Sequence, residues 1–279
     1  MKKTHFLLIT ILCCISAFGN NGLGSGEIQD PSLLVVSGQD EIVVTDMAKV
    51  VVFSNSGQFI KELHKVNQDF QDVIPLDKNR YLAVKMELNP DLSQTMSIVL
   101  CSSELEEIKT LESSKIESFT SPSGVNIIPT IVYWANSRSS IFTGNTNEYE
   151  IRVHDFDGNL FRKIRKEDNA VLLSDKDRVE YEQRLKNYPP NLRDKFFVPD
   201  SYPSYKRIIP FDEKYLFVQT YEEPSDGHYI YDIFNTEGAF TARFELEGFH
   251  MKLRGERLYC LREKDSGYKE LNVYRMIWE

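Results

Sequence analysis

The chain has 279 residues, 41% of them hydrophobic and 27% charged, and a formal net charge of −9. That length is ample for one large core or one closed array of strands. The acidic balance gives no overall attraction to phosphate backbones or anionic lipid, so nucleic-acid binding is excluded as the main activity.

The first residues read as an address. Lys2-Lys3 form a basic start, Phe6 to Phe18 is mostly apolar, and Ala17-Phe18-Gly19 offers small residues where a signal peptidase cuts. Thirteen apolar residues are too few for a membrane-spanning helix, which needs roughly 20. Residues 1–19 are therefore read as a signal peptide with cleavage after Gly19, which directs the protein to the periplasm or the outside. Lipoprotein processing at Cys13 or Cys14 is the lesser reading, because Leu12 precedes Cys13 and neither cysteine follows a small residue. Gly22-Leu23-Gly24-Ser25-Gly26 makes residues 20–31 a flexible leader rather than a nucleophile elbow. A single folded domain is then placed at residues 32–279.

From there the chain repeats itself. Val50-Val51-Val52-Phe53 leads to Gly57, Ile151-Arg152-Val153-His154 to Gly158, and Tyr231-Asp232-Ile233-Phe234 to Gly238. Apolar residues stand two apart on both flanks of each glycine, which is strand periodicity around a hairpin. A weaker copy, Ile98 to Leu111, carries Leu105 where the glycine would be. Before each hairpin lie two further strand candidates: Leu33–Val36 with Ile42–Thr45, Val73–Leu76 with Tyr81–Val84, and Ile127–Tyr133 with Ile141–Thr143. The later pairs are Ile208–Phe211 with Tyr215–Val218 and Met251–Leu253 with Leu258–Leu261; the last unit ends with Leu271–Met276 and no clear fourth strand. Four short antiparallel strands per unit is the composition of a propeller blade, and five such units are readable.

One excursion interrupts the array, at about residues 170–201. Ser174 with Asp177 forms a capping box, and Val179, Tyr181, Leu185 and Tyr188 follow at helical spacing. Pro189-Pro190 ends this helix, and Asn191 is placed as the cap of a short second one. The excursion is either a solvated elaboration or a lid and docking element over one face.

Candidate chemistry is sparse. His64, His154, His228 and His250 form no paired zinc motif, and His154 takes the strand position held by Phe53 and Phe234 in the sister hairpins. Asp155-Phe156-Asp157-Gly158-Asn159 has its glycine too early for an EF-hand and reads as a turn. Cys101 and Cys260 lie in apolar strands and read as buried thiols, although an oxidising compartment would leave a disulfide open to them. Acidic groups at Glu104 to Glu107, Glu148 with Glu150, and Glu222 with Glu223 and Asp226 read as solvated turns. No catalytic residue, metal site or cofactor is assigned. The binding candidates are aromatic: Trp134, Tyr202, Tyr205 and Tyr221, placed near strand ends where they could anchor a ligand or fill the gaps between blades.

Tyr202-Pro203, the Tyr231 to Gly238 hairpin, Gly255-Glu256-Arg257-Leu258-Tyr259 and Asn272-Val273-Tyr274-Arg275 resemble the closing blades of exported bacterial six-bladed β-propellers, the TolB-like and NHL-repeat-like group. The hairpins at Val50–Leu63 and Ile151–Ile164 resemble NHL blades. The resemblance implies an all-β propeller of six blades, of which five are readable here. Lys65-Val66-Asn67-Gln68-Asp69 replaces the family's glycine-rich stretch. It also implies non-enzymatic binding of a protein, peptide or glycan in the cell envelope, with membrane contact only through a lipid anchor. The alternative it offers is a calcium-dependent lactonase or esterase that gathers carboxylates in the propeller channel.

Overall fold

The computed structural model describes residues 25–37, 40–65, 70–167, 170–211, 213–225, 227–247, 250–254, 257–263 and 269–275. Residues 1–19, read above as a signal peptide, and residues 20–24 of the leader lie outside them. Of the leader's described part, Gly26 donates its amide to Glu62, and Gln29 and Asp30 donate theirs to Asp46.

The fold is all-β, built from antiparallel sheets in which sequence neighbours pair in order. The first sheet holds β1 (Pro31–Val36), β2 (Ile42–Asp46), β3 (Lys49–Phe53) and β4 (Phe59–His64). The second holds β5 (Phe70–Pro75), β6 (Arg80–Leu88), β7 (Gln94–Ser102) and β8 (Glu107–Ile116). After a two-residue strand, β9 (Val125–Asn126), the third holds β10 (Val132–Asn136), β11 (Ile141–Asn145), β12 (Glu150–His154) and β13 (Leu160–Arg165). Two helices follow, α1 (Asp175–Lys186) and α2 (Pro190–Arg193), then β14 (Phe196–Phe197), which pairs with β9 in parallel. The fourth sheet holds β15 (Arg207–Phe211), β16 (Tyr215–Gln219), β17 (His228–Asn235) and β18 (Phe240–Glu247). The fifth has three strands, β19 (His250–Arg254), β20 (Arg257–Glu263) and β21 (Lys269–Arg275). Five blade-like sheets, four of them four-stranded, thus stand among the described residues.

Within the blades, one turn recurs between consecutive strands. Its first residue donates its amide to the carbonyl of the fifth, and the fourth donates to the carbonyl of the first. This occurs at Ser37–Glu41, Ser54–Gln58, Asn89–Ser93, Ser102–Glu106, Asp155–Asn159 and Asn235–Ala239. In five of the six the first side chain also accepts from the fifth amide, which is what Ser, Asp and Asn do at turns. The fourth residue is left-handed every time: Gly57, Gly158 and Gly238, but also Asp40, Leu92 and Leu105. The Leu105 copy is therefore a full member of the set. In the three glycine hairpins the register shifts at one equivalent place, before Phe53, His154 and Phe234. This bulge adds local twist to each outer strand pair.

The chain divides into two compact units. One holds the described residues up to Leu88 with Thr95–Ser113, the other Asn89–Gln94 with everything from Ser114. In the first, Val43, Val50 and Val52 of one sheet pack on Val73, Ala83 and Val99 of the next, with Cys101 and Leu105 buried among them. The Thr45 hydroxyl ties the two sheets by donating to the Val73 carbonyl and accepting from its amide. In the second, Tyr149, Ile151 and Ile164 pack on Tyr205, Ile208, Leu216 and Phe234. Both cysteines are free and buried, and burial raises the Cys101 thiol to about 12 and the Cys260 thiol to about 11. His154 is buried, its Nε2 within 3.0 Å of the Thr143 hydroxyl.

Three expectations need correction. No strand runs from Ile127 to Ile131: the third sheet begins at Val132, because Asn126 accepts the Ile128 amide and Pro129 lacks one. Helix α2 is capped by Pro189, with Pro190 in its first turn, rather than by Asn191. Glu150 is not a solvated turn acid. It is buried at 7% exposure in β12 and held by Arg152, Lys163 and Arg165. Burial pushes its carboxyl up, but these three cations outweigh it and hold it at about 2.

Two predictions follow from these positions. The Glu150 pKa is depressed on folding, so its stabilisation is complete above the ordinary carboxylate range near 4.5 and is lost as pH falls towards 2. Glu150→Gln should lower the urea midpoint at pH 7, and the gap to wild type should narrow progressively as pH drops from 5 towards 2; a pH-independent gap would contradict the assignment. Leu105→Gly relieves about 1–2 kcal/mol of left-handed strain but empties a site worth about 2–5 kcal/mol of buried leucine. Net destabilisation is expected by equilibrium unfolding, and a gain in stability would show that strain dominates.

Candidate functional site

Antiparallel order puts alternate connections at opposite ends of a sheet. In the third and fourth sheets one end carries only tight turns, at Ser137–Ser140, Asp155–Asn159 and Asn235–Ala239. The other end carries the β11–β12 and β16–β17 connections and the long segments entering β10 and β15. The helical excursion is one of these segments. Its base is closed by an antiparallel bridge between Leu172 and Ser201, with Leu173 donating to the Asp200 carbonyl and Tyr202 to that of Val171.

Local sequence explains why the excursion folds. Ser174 caps α1 and Asp177 reciprocates, completing the expected capping box. Only Leu185 of this helix is buried, so its position comes from neighbours rather than from an apolar face of its own. Pairing of β14 with β9 and the packing of Phe196 against Phe119 (5.3 Å, edge-on) and Tyr188 (5.1 Å) fix the returning chain.

The returning chain delivers Tyr202. Its ring stacks on Tyr221 of the β16–β17 connection, with centroids 4.5 Å apart and planes 10° from parallel. Burial raises both phenols, Tyr221 to about 12, with Tyr181 of α1 adding to the effect on each. Behind them the Lys206 ammonium lies 4.9 Å from the Tyr229 ring centre and 5.8 Å from that of Tyr221. Burial lowers its pKa, against the opposing pull of Glu223. Stacking of this kind contributes about 0.5–1.5 kcal/mol beyond area burial and fixes the ring plane.

Beside Tyr202 opens a polar cavity of about 270 Å³. Its polar lining comes from Asn126 and Thr130 before β10, Thr146 and Asn147 between β11 and β12, and Ser201 and Ser204 around Tyr202. Ile128, Pro199 and Pro203 supply apolar wall, and no ionisable side chain except the Tyr202 phenol takes part. Thr146 is spent on the backbone of Ile131, and Ser204 donates its amide to the Thr146 carbonyl. The Asn126 Nδ2, the Asn147 side-chain amide and the hydroxyls of Thr130, Ser201 and Ser204 have no hydrogen-bond partner among the described residues.

The four aromatic candidates part company here. Tyr202 and Tyr221 meet at the loop end. Tyr205 does not belong with them: it is fully buried, its ring 5.6 Å from that of Tyr149 in the core between the third and fourth sheets. A Cβ on Gly144 would stand 2.3 Å from its hydroxyl, which shows how closely the core is built around it. Trp134 is half-buried on β10 opposite Thr143 and does not line the cavity. Apart from Tyr202, the polar residues that line it are small side chains that no sequence signal marks.

At the opposite end lies a second cavity of about 210 Å³, walled by Phe142, Val153, Phe161 and Leu216. There Glu213, itself left-handed, accepts hydrogen bonds from the Ser137 and Ser139 hydroxyls and the Arg138 amide. The Glu213 carboxylate is thus committed to holding two turns together. Among the described residues no group of three or more His, Cys, Asp or Glu side chains is placed to hold a metal ion, and no helix is long and apolar enough to cross a membrane.

No protein-family model and no curated protein matches the chain. Solved structures do. The chain is similar to a Bacteroides fragilis protein designated as exported, with 12% identity over 88% of this chain and 70% of that one, at a TM-score of 0.50. It is similar to a member of the DUF4221 family from Bacteroides vulgatus, with 10% identity, 92% and 82% coverage and a TM-score of 0.49. The WD40 domain of Neurospora crassa Pan2 follows at 10% identity, 88% and 63% coverage and a TM-score of 0.41. At such identities the likeness concerns fold alone: a propeller-like all-β protein.

The two central tyrosines should couple energetically. A double-mutant cycle of Tyr202→Ala and Tyr221→Ala is expected to give about 0.5–1.5 kcal/mol of interaction. Tyr205→Ala should cost about 3–5 kcal/mol as a core deletion. Additive effects in the cycle would show that the stack does not hold the site.

Proposed function

We propose that the chain is an exported, non-enzymatic binding protein that holds its ligand at the loop end of the third and fourth sheets. One observation carries this reading: a cavity lined by polar side chains, five of which carry a group with no described protein partner, opens beside a tyrosine clamped by stacking. Sites that bind without reacting need such preorganised polar groups on a rigid base, and nothing more. The lining offers no carboxylate, histidine, cysteine or lysine to serve as base or nucleophile. Export is supported by the basic start and apolar run of residues 2–18 and by the likeness to a protein designated as exported.

A thermal-shift screen of the full chain against envelope-type glycans and peptides tests the proposal. At least one compound should raise the melting temperature of wild type and fail to do so for Tyr202→Ala. A saturating ligand at 100 times its Kd adds about 2.7 kcal/mol, a readily measured shift. The same preparation should turn over no lactone or ester in calcium. Calcium-dependent turnover would overturn the binding reading in favour of the hydrolase.

A further inference from the structure

The chemistry of the lining narrows the ligand class further, on the basis of the binding reading above. Five side chains around the cavity, Asn126, Thr130, Asn147, Ser201 and Ser204, carry groups with no described partner, and every one of them is neutral. Hydroxyls both donate and accept, and amides present a donor and an acceptor side by side. A ligand that satisfies them must offer several neutral donor-acceptor groups at close spacing.

Other classes fit less well. A charged ligand would be desolvated with no counter-charge, since the lining has no ionisable group besides the phenol of Tyr202, which its surroundings keep protonated. A purely apolar ligand would leave five polar groups unpaired, each at a cost. An extended peptide needs a groove, and about 270 Å³ lies just below the usual range for small-molecule sites, about 300–1,000 Å³. What remains is compact, neutral and rich in hydroxyls. The Tyr202 ring, fixed by its stack on Tyr221, and the side chains of Ile128, Pro199 and Pro203 supply apolar wall for the C–H face of a ring.

We infer that this cavity takes a single neutral sugar ring, a hexose or N-acetylhexosamine, with Tyr202 against its apolar face and Asn126, Asn147 and the Ser201 and Ser204 hydroxyls around its edge. A ligand of roughly 12–15 heavy atoms at about −0.3 kcal/mol per atom gives a Kd in the millimolar range for the free monosaccharide, so the assay must see weak binding.

Saturation-transfer NMR on the full chain suits that range, with glucose, galactose and N-acetylglucosamine as probes and glucuronic acid and glucosamine as charged comparators. Neutral sugars should receive saturation and the charged ones should not. Asn147→Leu, on an exposed loop residue, should leave the fold intact by circular dichroism and weaken binding about tenfold or more. Trp134→Phe, outside the cavity, should leave affinity unchanged. Three results would overturn the inference: saturation of charged sugars alone, neutral-sugar binding untouched by Asn147→Leu, or no sugar signal at all. If the last occurs while a peptide still gives a Tyr202-dependent thermal shift, the sugar is wrong and the binding reading stands. If no ligand of either class binds, both fall.

Discussion

The structure depends on a backbone constraint that recurs in each of the four four-stranded blades: a five-residue turn whose fourth residue is left-handed. The turn's two backbone hydrogen bonds leave the fifth amide inside the loop, and a Ser, Asp or Asn oxygen at the first position takes it up. Once the turn is closed, the pairing register of the two strands it joins is fixed, and with it the face each side chain occupies. A one-residue slip at Gly158 would carry Ile151 and Val153 out of the core and Arg152 into it. The left-handed residue need not be glycine. Leu105 accepts the strain because its side chain is buried, at 2% exposure, whereas Leu92 does so on the surface, at 58%.

That difference explains how much could be read from sequence. The turns at Gly57, Gly158 and Gly238 were legible because glycine announces its conformation, and Leu105 became legible by alignment with them. Asp40 and Leu92 make the same turn and carry no such mark. The capping box of α1 is equally local and forms as its residues dictate, whereas Asn191 looks like a cap by residue type although Pro190 already sets the start of the helix. Tyr205 shows the limit most clearly. A tyrosine near a strand end looks the same whether it faces solvent or a neighbouring sheet; its burial depends on Gly144 and Tyr149, some sixty residues away. Asn126, Asn147, Ser201 and Ser204 come together only through tertiary contacts, and their residue types are those of any loop.

The repeats also share electrostatic positions that residue identity conceals. Eight before and five after the turn glycine, the first sheet pairs Lys49 with Glu62 at 3.0 Å, and the third pairs Glu150 with Lys163 at 3.2 Å. The same slot is kept with its charges exchanged. Eight residues after the glycine both repeats have a lysine. Lys65 is buried within the field of Asp46 and Asp72, and Lys166 reaches the fully buried Asp232 at 2.6 Å, where the Tyr149 hydroxyl also donates. A buried charge is tolerated only when paired and hydrogen-bonded, and each of these slots places its buried charge beside an opposite one.

Symmetry of this kind works against function. Identical tight turns satisfy their own polar groups, as the Glu213 clamp and the Asp155 turn do, and leave nothing for a ligand to bind. A site arises where the repeat is broken. The excursion between β13 and β15 replaces a short connection with a folded segment anchored on its own capping box and on Phe196. On its return it brings Ser201, Tyr202 and Ser204 against the β11–β12 connection. Its polar side chains cannot all be satisfied by a neighbouring blade built to close turns. The excess of unpaired groups beside a stacked tyrosine is the consequence, and it is that mismatch between a symmetric scaffold and one irregular segment that gives the protein a place to hold something other than itself.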